Sequence, residues 1–377
     1  MSGASAPPVT VVVDGIVFRM APSGGVARVF REVLPRVAGT GAAQIELIVE
    51  RGSRDVPVGP GIRQIRTPAV DDILRPRRVW WAVTPAVRAV VQRATTDAPG
   101  GIWHSTYFTT PVAWHGAEVV TVHDMIYELY PRHFPKDAGE WFRRQKRKSV
   151  ARATRVICVS QTTADDVCEL LAVRPEMVTV TPLGVAPEFR VLETEPPIRR
   201  PYVLYVGLRH WLKGWESLVR GFAGWSRGAE VGLVTVGPPL DSAERRLLEA
   251  LGLGDRVTTV SGVGDDALVR LYNGALAFAS PSRYEGFGIP LLEALACGCP
   301  LVASRIPSSL EVAGDCAVYF EPGDGEGLAD ALERAVTEGR DAPRVAAGIA
   351  RAAGFTWDAC AARTASVYTG VAGLDRG

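Results

Sequence analysis

The feature that most constrains this chain is a pattern met twice. Short runs rich in valine, isoleucine and threonine alternate with segments of helical composition: VTVVVDG (9–15), QIELIVE (44–50), AEVVTVHD (117–124), RVICVS (155–160) and MVTVTPLG (177–184). The pattern restarts with YVLYVG (202–207), VGLVTVG (231–237), RVTTVSG (256–262), GALAFASPS (274–282), PLVAS (300–304) and AVYF (317–320). Apolar strands that do not alternate, separated by helices, specify parallel sheets covered on both faces. Between the two series lies VAPEFRVLETEPPIRRP (185–201), which is rich in proline and charge and has no period. It reads as a junction, so an α/β chain of two domains is expected, at 1–187 and 202–355, with a linker at 188–201 and a C-terminal helix and tail at 356–377. Thr356 is placed to cap that last helix.

A chain of 377 residues, 47% of them apolar, is long enough for two cores. No apolar run approaches the ~18 residues of a membrane span, and Met1–Pro8 lacks the basic and apolar regions of a leader. A soluble cytoplasmic protein is therefore expected. The net charge of +1 argues against a dedicated nucleic-acid binder. Of the six cysteines only Cys297 and Cys299 are close, and they lack partners at zinc-site spacing, so free buried thiols are expected. Arginine is abundant, but lysine occurs only at 136, 146, 148 and 213. The retention of Lys213 in such a composition singles out its surroundings.

In open α/β sheets ligands sit beyond the carboxyl ends of the strands, and four loops there carry chemistry. In DGIVFRMAPSGGVARVFREVLPRV (14–37), Gly24 and Gly25 precede an amphipathic helix, where backbone amides suit a phosphate; plain turn chemistry is the alternative. In TVHD, His123 and Asp124 follow a strand directly: His123 either meets a substrate hydroxyl or packs over a helix start that Asp124 caps. In YVLYVGLRHWLKGWESL, Arg209 and Lys213 are two cations with no acid between them, suited to a diphosphate or else to a solvated basic loop. In SRYEGFGIPLLEALACGCP (282–300), Pro290 fits a first helical turn and Gly298 a C-terminal cap, which puts Glu293 in the first turn and leaves the amides of Gly286–Gly288 for a phosphate.

Taken together these stretches resemble a known family. EGFGIPLLE is similar to the E-x7-E signature of glycosyltransferase family 4, the retaining group 1 glycosyltransferases of the GT-B fold, with a mannosyltransferase-like VGxRxxxK form. SGGVARVFREVLP, HSTYFTTP, TVHDMIYELYP, VICVSQTTADDV, PLGVAPEF and VGLRHWLKGWESL resemble the family's other segments in the same order, over about residues 10 to 360. Gly214 stands where the family often has asparagine, and Ala186 where it often has aspartate.

The resemblance implies two Rossmann-like domains with parallel sheets facing across a cleft, and a sugar-nucleotide donor held mainly by the second. By the same resemblance Arg209 and Lys213 would neutralise the diphosphate, with amides of Gly25 and of Gly286, Phe287 and Gly288 helping. Glu293 would accept hydrogen bonds from ribose hydroxyls, Glu285 would bind hydroxyls of the transferred sugar, and His123 would contact that sugar. The two acids then bracket a phosphate, with the cations supplied by a separate segment. No Asp-x-Asp motif is present to carry a divalent metal, so no cofactor and a metal-independent, retaining hexosyl transfer are expected. GDP-mannose is the donor this form suggests, while UDP- and dTDP-sugars stay open. The partners implied are that donor and a glycan, lipid-linked or small-molecule acceptor, as in polysaccharide or natural-product biosynthesis.

A nucleotide-sugar epimerase of the same fold and a non-catalytic GT-B scaffold are the rival readings. A Rossmann dehydrogenase is disfavoured because SGVGDD lacks the third glycine of a dinucleotide loop. The basic stretch KDAGEWFRRQKRKSVARATR (136–155), with Trp141 and Phe142, allows peripheral contact with an anionic membrane or a solvated helix face. RPRRVWWAV (75–83), with Trp80 and Trp81, poses a core or an acceptor pocket.

Overall fold

Both series of apolar runs form parallel sheets. The computed structural model describes residues 8–68, 101–111, 114–193, 195–225 and 230–374. Trp80 and Trp81 therefore lie outside the described residues. The first sheet has seven strands, β1 (Val9–Val13), β2 (Ala43–Glu50), β3 (Ile62–Thr67), β4 (Ile102–Ser105), β5 (Glu118–Val122), β6 (Arg155–Cys158) and β7 (Val178–Val180), in the order β3-β2-β1-β4-β5-β6-β7. The second has six, β8 (Tyr202–Val206), β9 (Gly232–Val236), β10 (Val257–Val260), β11 (Ala277–Ser280), β12 (Leu301–Ser304) and β13 (Ala317–Phe320), in the order β10-β9-β8-β11-β12-β13. Every pairing is parallel. In each sheet the order reverses beside its first strand, between β1 and β4 and between β8 and β11, which is where a doubly wound sheet offers its ligand crevice.

Two compact units result, Met1–Leu183 with Trp357–Gly377, and Gly184–Thr356. The first is discontinuous in sequence. Its closing helix, Trp357–Leu374, packs on the helix Gly25–Gly39 and against the first sheet. Tyr368 of that helix is fully buried, and its hydroxyl lies 2.5 Å from Nδ1 of His104 on β4, whose Nε2 is 2.9 Å from Thr121 Oγ1. Periodicity alone gives no docking site for this helix; the buried histidine supplies one.

The junction 188–201 belongs to the second unit. Asn273 pins it from the helix Asp265–Gly274, accepting from Leu192 N at 2.8 Å and donating to Arg190 O at 2.9 Å. The core of this unit gathers Val203, Tyr205, Leu233, Ala279 and Val302 from the sheet with Trp215, Phe222, Leu328 and Leu332 from its helices. All six cysteines are free and five are buried. Among the described residues no helix is long and apolar enough to cross a membrane.

Candidate functional site

In the second unit the glycine-rich stretch and the basic loop meet. Gly288, with φ +114°, is the N-cap of the helix Ile289–Ala296, and Pro290 occupies its first turn, where the missing N–H costs nothing. The helix ends in a Schellman arrangement: Gly298 (φ +59°) donates to Leu295 O at 3.0 Å and Cys299 to Ala294 O at 2.9 Å. Glu293 is not in the first turn. Counting from Ile289 it lies one turn in, with 2% of its surface exposed, and Tyr272 Oη donates to its Oε2 at 3.0 Å. Gly286, Phe287 and Gly288 are buried, and the Phe287 ring meets Phe355 edge-on at 6.0 Å.

Lys213 ends a short 3-10 turn, Trp211–Lys213, after β8. Its Nζ is 2.5 Å from Glu285 Oε1, which also accepts from Ser282 Oγ at 2.7 Å. Sequence reading separates acids from cations; here one of each forms a pair. The Lys213 side chain stays 30% exposed, and an ammonium has three N–H donors, so the pair leaves it donors for an anion. Gly214 brings the two segments together. Its φ is +69°, and a Cβ there would lie 1.9 Å from Pro281 O, so the backbone needs glycine in addition to the left-handed turn.

Arg209 lies in the loop after β8, four residues before Lys213. Its side chain is 2% exposed and forms an ion pair with Glu244, Nε to Oε1 at 2.9 Å. In this arrangement its Nη2 also donates to the exposed carbonyls of Pro238 and Pro239. Glu244 escapes notice in the sequence because its helix, Ser242–Ala250, reads as an ordinary capped surface helix.

In the first unit Gly24 is the N-cap of the helix Gly25–Gly39 with an extended backbone, and a Cβ on Gly25 would meet no atom within 4 Å. No internal contact demands glycine at 25, which leaves room for close approach of a ligand to the amides there. His123 follows β5 directly. Its ring meets Phe30 edge-on at 5.9 Å, and its Nε2 is buried with no hydrogen-bond partner among the described residues. Burial, and secondarily the charge of Lys146, lower its pKa to about 3, so the imidazole is neutral. Asp124 Oδ1 accepts from Ile126 N at 3.3 Å just before the short helix Ile126–Leu129, whose N-cap is Met125.

Two buried groups behind this loop are not legible as motifs. Asp14, at the end of β1, accepts from Thr106 N at 2.9 Å and from the hydroxyls of Ser105, Thr106 and Thr109, tying β1 to the segment after β4. Lys146, on the helix Lys136–Arg152, has a fully buried side chain that donates to Asp124 O at 2.9 Å and Glu128 Oε2 at 2.8 Å. On the same helix Phe142 stacks on Tyr127 at 4.8 Å, so that ring is packed inside the unit, while Arg144, Arg147 and Lys148 are exposed.

Residues 23–189 match the description Glycosyltransferase Family 4, and residues 193–350 match Glycosyl transferases group 1. The chain belongs to this glycosyltransferase family. A relative of this chain, MMP alpha-(1->4)-mannosyltransferase of Mycolicibacterium hassiacum, is 33% identical over 66% of this chain, an alignment that reaches only 64% of that relative's length. O-antigen chain mannosyltransferase B of Escherichia coli is 26% identical over 78% of each chain. The chain shares the GT-B fold of sucrose-phosphate synthase from Thermosynechococcus elongatus, with a TM-score of 0.79 and 23% identity over 96% of this chain and 98% of that one.

Proposed function

We propose that this glycosyltransferase moves a hexose, with retention of configuration, from a nucleotide-diphosphate sugar to a hydroxyl of a glycan, lipid-linked or small-molecule acceptor. The observation that carries the reading is the half-exposed Lys213–Glu285 pair beside the glycine entrance of the helix Ile289–Ala296. A cation and helix-terminal amides suit the charge that develops on a diphosphate as it leaves, which is where stabilisation accelerates transfer most. Glu285 is assigned the sugar hydroxyls, Glu293 the ribose hydroxyls and His123 a contact with the sugar. Gly24 and Gly25 are assigned backbone contact with the phosphates.

With a fixed protein cation and helix-terminal amides in this role the reaction needs no divalent metal, and EDTA is expected to leave the rate unchanged. The proposed donor is GDP-mannose, and the mannosyltransferase names of both relatives support its sugar. Incubation with a panel of nucleotide sugars, with and without acceptors, tests the reading through nucleotide release. Release that requires acceptor supports transfer, a product sugar that stays nucleotide-bound indicates an epimerase, and no turnover indicates a scaffold. Lys213→Ala is expected to slow transfer by about 30-fold, the equivalent of ~2 kcal/mol for a charge-assisted contact; a loss under about threefold removes the phosphate role.

A further inference from the structure

The helices Asp265–Gly274 and Ile289–Ala296 end at one guanidinium. Arg340, just past the helix Gly325–Glu338, donates through Nη2 to Tyr272 O at 2.7 Å and Ala275 O at 3.0 Å. Through Nη1 it donates to Gly298 O at 2.7 Å and Cys297 O at 3.2 Å. A helix end leaves its last carbonyls without partners and gathers negative partial charge, so one cation shared by two ends fixes them against each other. The first end is closed from another side as well: Tyr202 Oη donates to Leu271 O at 2.8 Å, and a Cβ on Gly274 would lie 2.6 Å from that same hydroxyl.

Both ends adjoin Glu293. Cys297 N donates to Glu293 O at 3.0 Å, so the capped turn includes the backbone of Glu293 itself. Tyr272, whose carbonyl Arg340 holds, donates from Oη to Glu293 Oε2 at 3.0 Å, and that hydroxyl lies 3.4 Å from Pro290 O. Its fully buried ring is held by edge-on contacts with Phe278 at 5.3 Å and Phe189 at 6.1 Å. Burial, and then the Glu293 carboxylate, raise the phenol well above its usual range, so it remains a donor. A carboxylate accepts about four hydrogen bonds, and one from Tyr272 orients it without exhausting it.

We propose that Arg340 and Tyr272 are positioning residues for Glu293: Arg340 staples the two helix ends, and Tyr272 carries that alignment to the carboxylate, which is thereby aimed at the hydroxyls of a ribose. A group that grips two hydroxyls must be held within about 0.5 Å of its productive place, by packing and by hydrogen bonds from behind. The brace rests on the ribose role proposed for Glu293, and its test separates the two.

The quantity to measure is a ratio: the affinity for a nucleoside diphosphate over that for its 2′,3′-dideoxy form. GDP and UDP, each with its dideoxy form, are titrated calorimetrically into the full-length protein, and the base that binds more tightly is carried through the variants. The wild type is expected to prefer the ribose form by about tenfold or more, as hydrogen bonds to a charged acceptor imply. Tyr272→Phe and Arg340→Met should each bring the ratio to about threefold or less, with affinity for the dideoxy form close to that of the wild type. Tyr272→Phe removes a single oxygen from a packed ring, so the brace stays open to refutation even if Arg340→Met does not fold.

Arg351 is the control for a merely structural cap. It too donates to two helix-end carbonyls, Glu311 O and Val312 O, both at 2.6 Å, on the helix Pro307–Ala313, to which no donor contact is assigned. Arg351→Met should lower the unfolding temperature and leave the ratio unchanged; a ratio that falls there as well overturns the brace. So does a wild-type ratio in either Tyr272→Phe or Arg340→Met. Glu293→Met removes the acceptor and should abolish the preference. If it keeps the wild-type ratio, or if the wild type binds neither diphosphate or does not distinguish the two forms, the ribose role itself fails and the brace falls with it. If Glu293→Met loses the preference while Tyr272→Phe and Arg340→Met keep it, only the brace is lost.

Discussion

At the scale of single residues, Gly214 is fixed by its neighbours as well as by its own backbone. Asparagine tolerates a left-handed backbone, so φ alone would allow it. The 1.9 Å approach of a virtual Cβ to Pro281 O does not. Gly214→Asn is therefore expected to be as destabilising as Gly214→Ala, by about 2 kcal/mol or more in urea unfolding, whereas a requirement for φ alone would make asparagine clearly the milder change. Because Lys213 is the adjacent residue, both variants should also lower the rate of nucleotide release.

At the scale of elements, the helix Lys136–Arg152 carries its information on the side that composition hides. Its basic sequence draws attention to solvent or membrane, yet Lys146 is fully buried and clamps the segment that follows His123. Glu128, its ion-pair partner, is also nearly inaccessible. Lys146→Met should destabilise the first unit by about 3–5 kcal/mol by leaving a buried carboxylate unpaired, and adding Glu128→Gln should restore much of that stability. Equal unfolding midpoints for the single and double variants would contradict this.

Most strands, their parallel pairing and the Gly-Pro helix entrance were legible because a two-face-buried strand and such an entrance impose residue types locally; β3, whose IRQIRT is half polar, and the four-residue β4 were not. The partners of Lys146, Arg209 and Glu293 were not. Each is chosen by contacts between residues about 18 to 35 apart, across loops whose sequences carry no period. Glu293 was misplaced by one residue, just beyond the first turn, for a related reason, since where the helix begins is decided by the positive φ of Gly288 and not by its proline alone.

At the scale of the whole molecule, buried histidines make stability depend on pH. His104 is held at about 3 by burial and by the nearby His123, and His123 at about 3 by burial and by Lys146. The unfolded chain takes up these protons below about pH 6.5, so the contribution of the two neutral rings is complete above that value and is lost as the pH falls towards 3. Asp14 acts in the opposite sense, because burial raises its pKa and the folded state keeps a proton that the unfolded state has released. Hydrogen exchange in β4 and β5 under urea should show protection falling as pH decreases from 6.5 to 4.5, and His104→Gln should reduce the proton uptake on unfolding by up to about one.

The same histidine bears on how the protein comes into being. Its partner Tyr368 lies on the helix Trp357–Leu374, which is translated only after all of Gly184–Thr356. The second unit is one unbroken stretch and can close as it emerges, whereas the first must wait with the His104 side of its sheet uncovered. During synthesis the half of the molecule that is made first is therefore the half that is finished last.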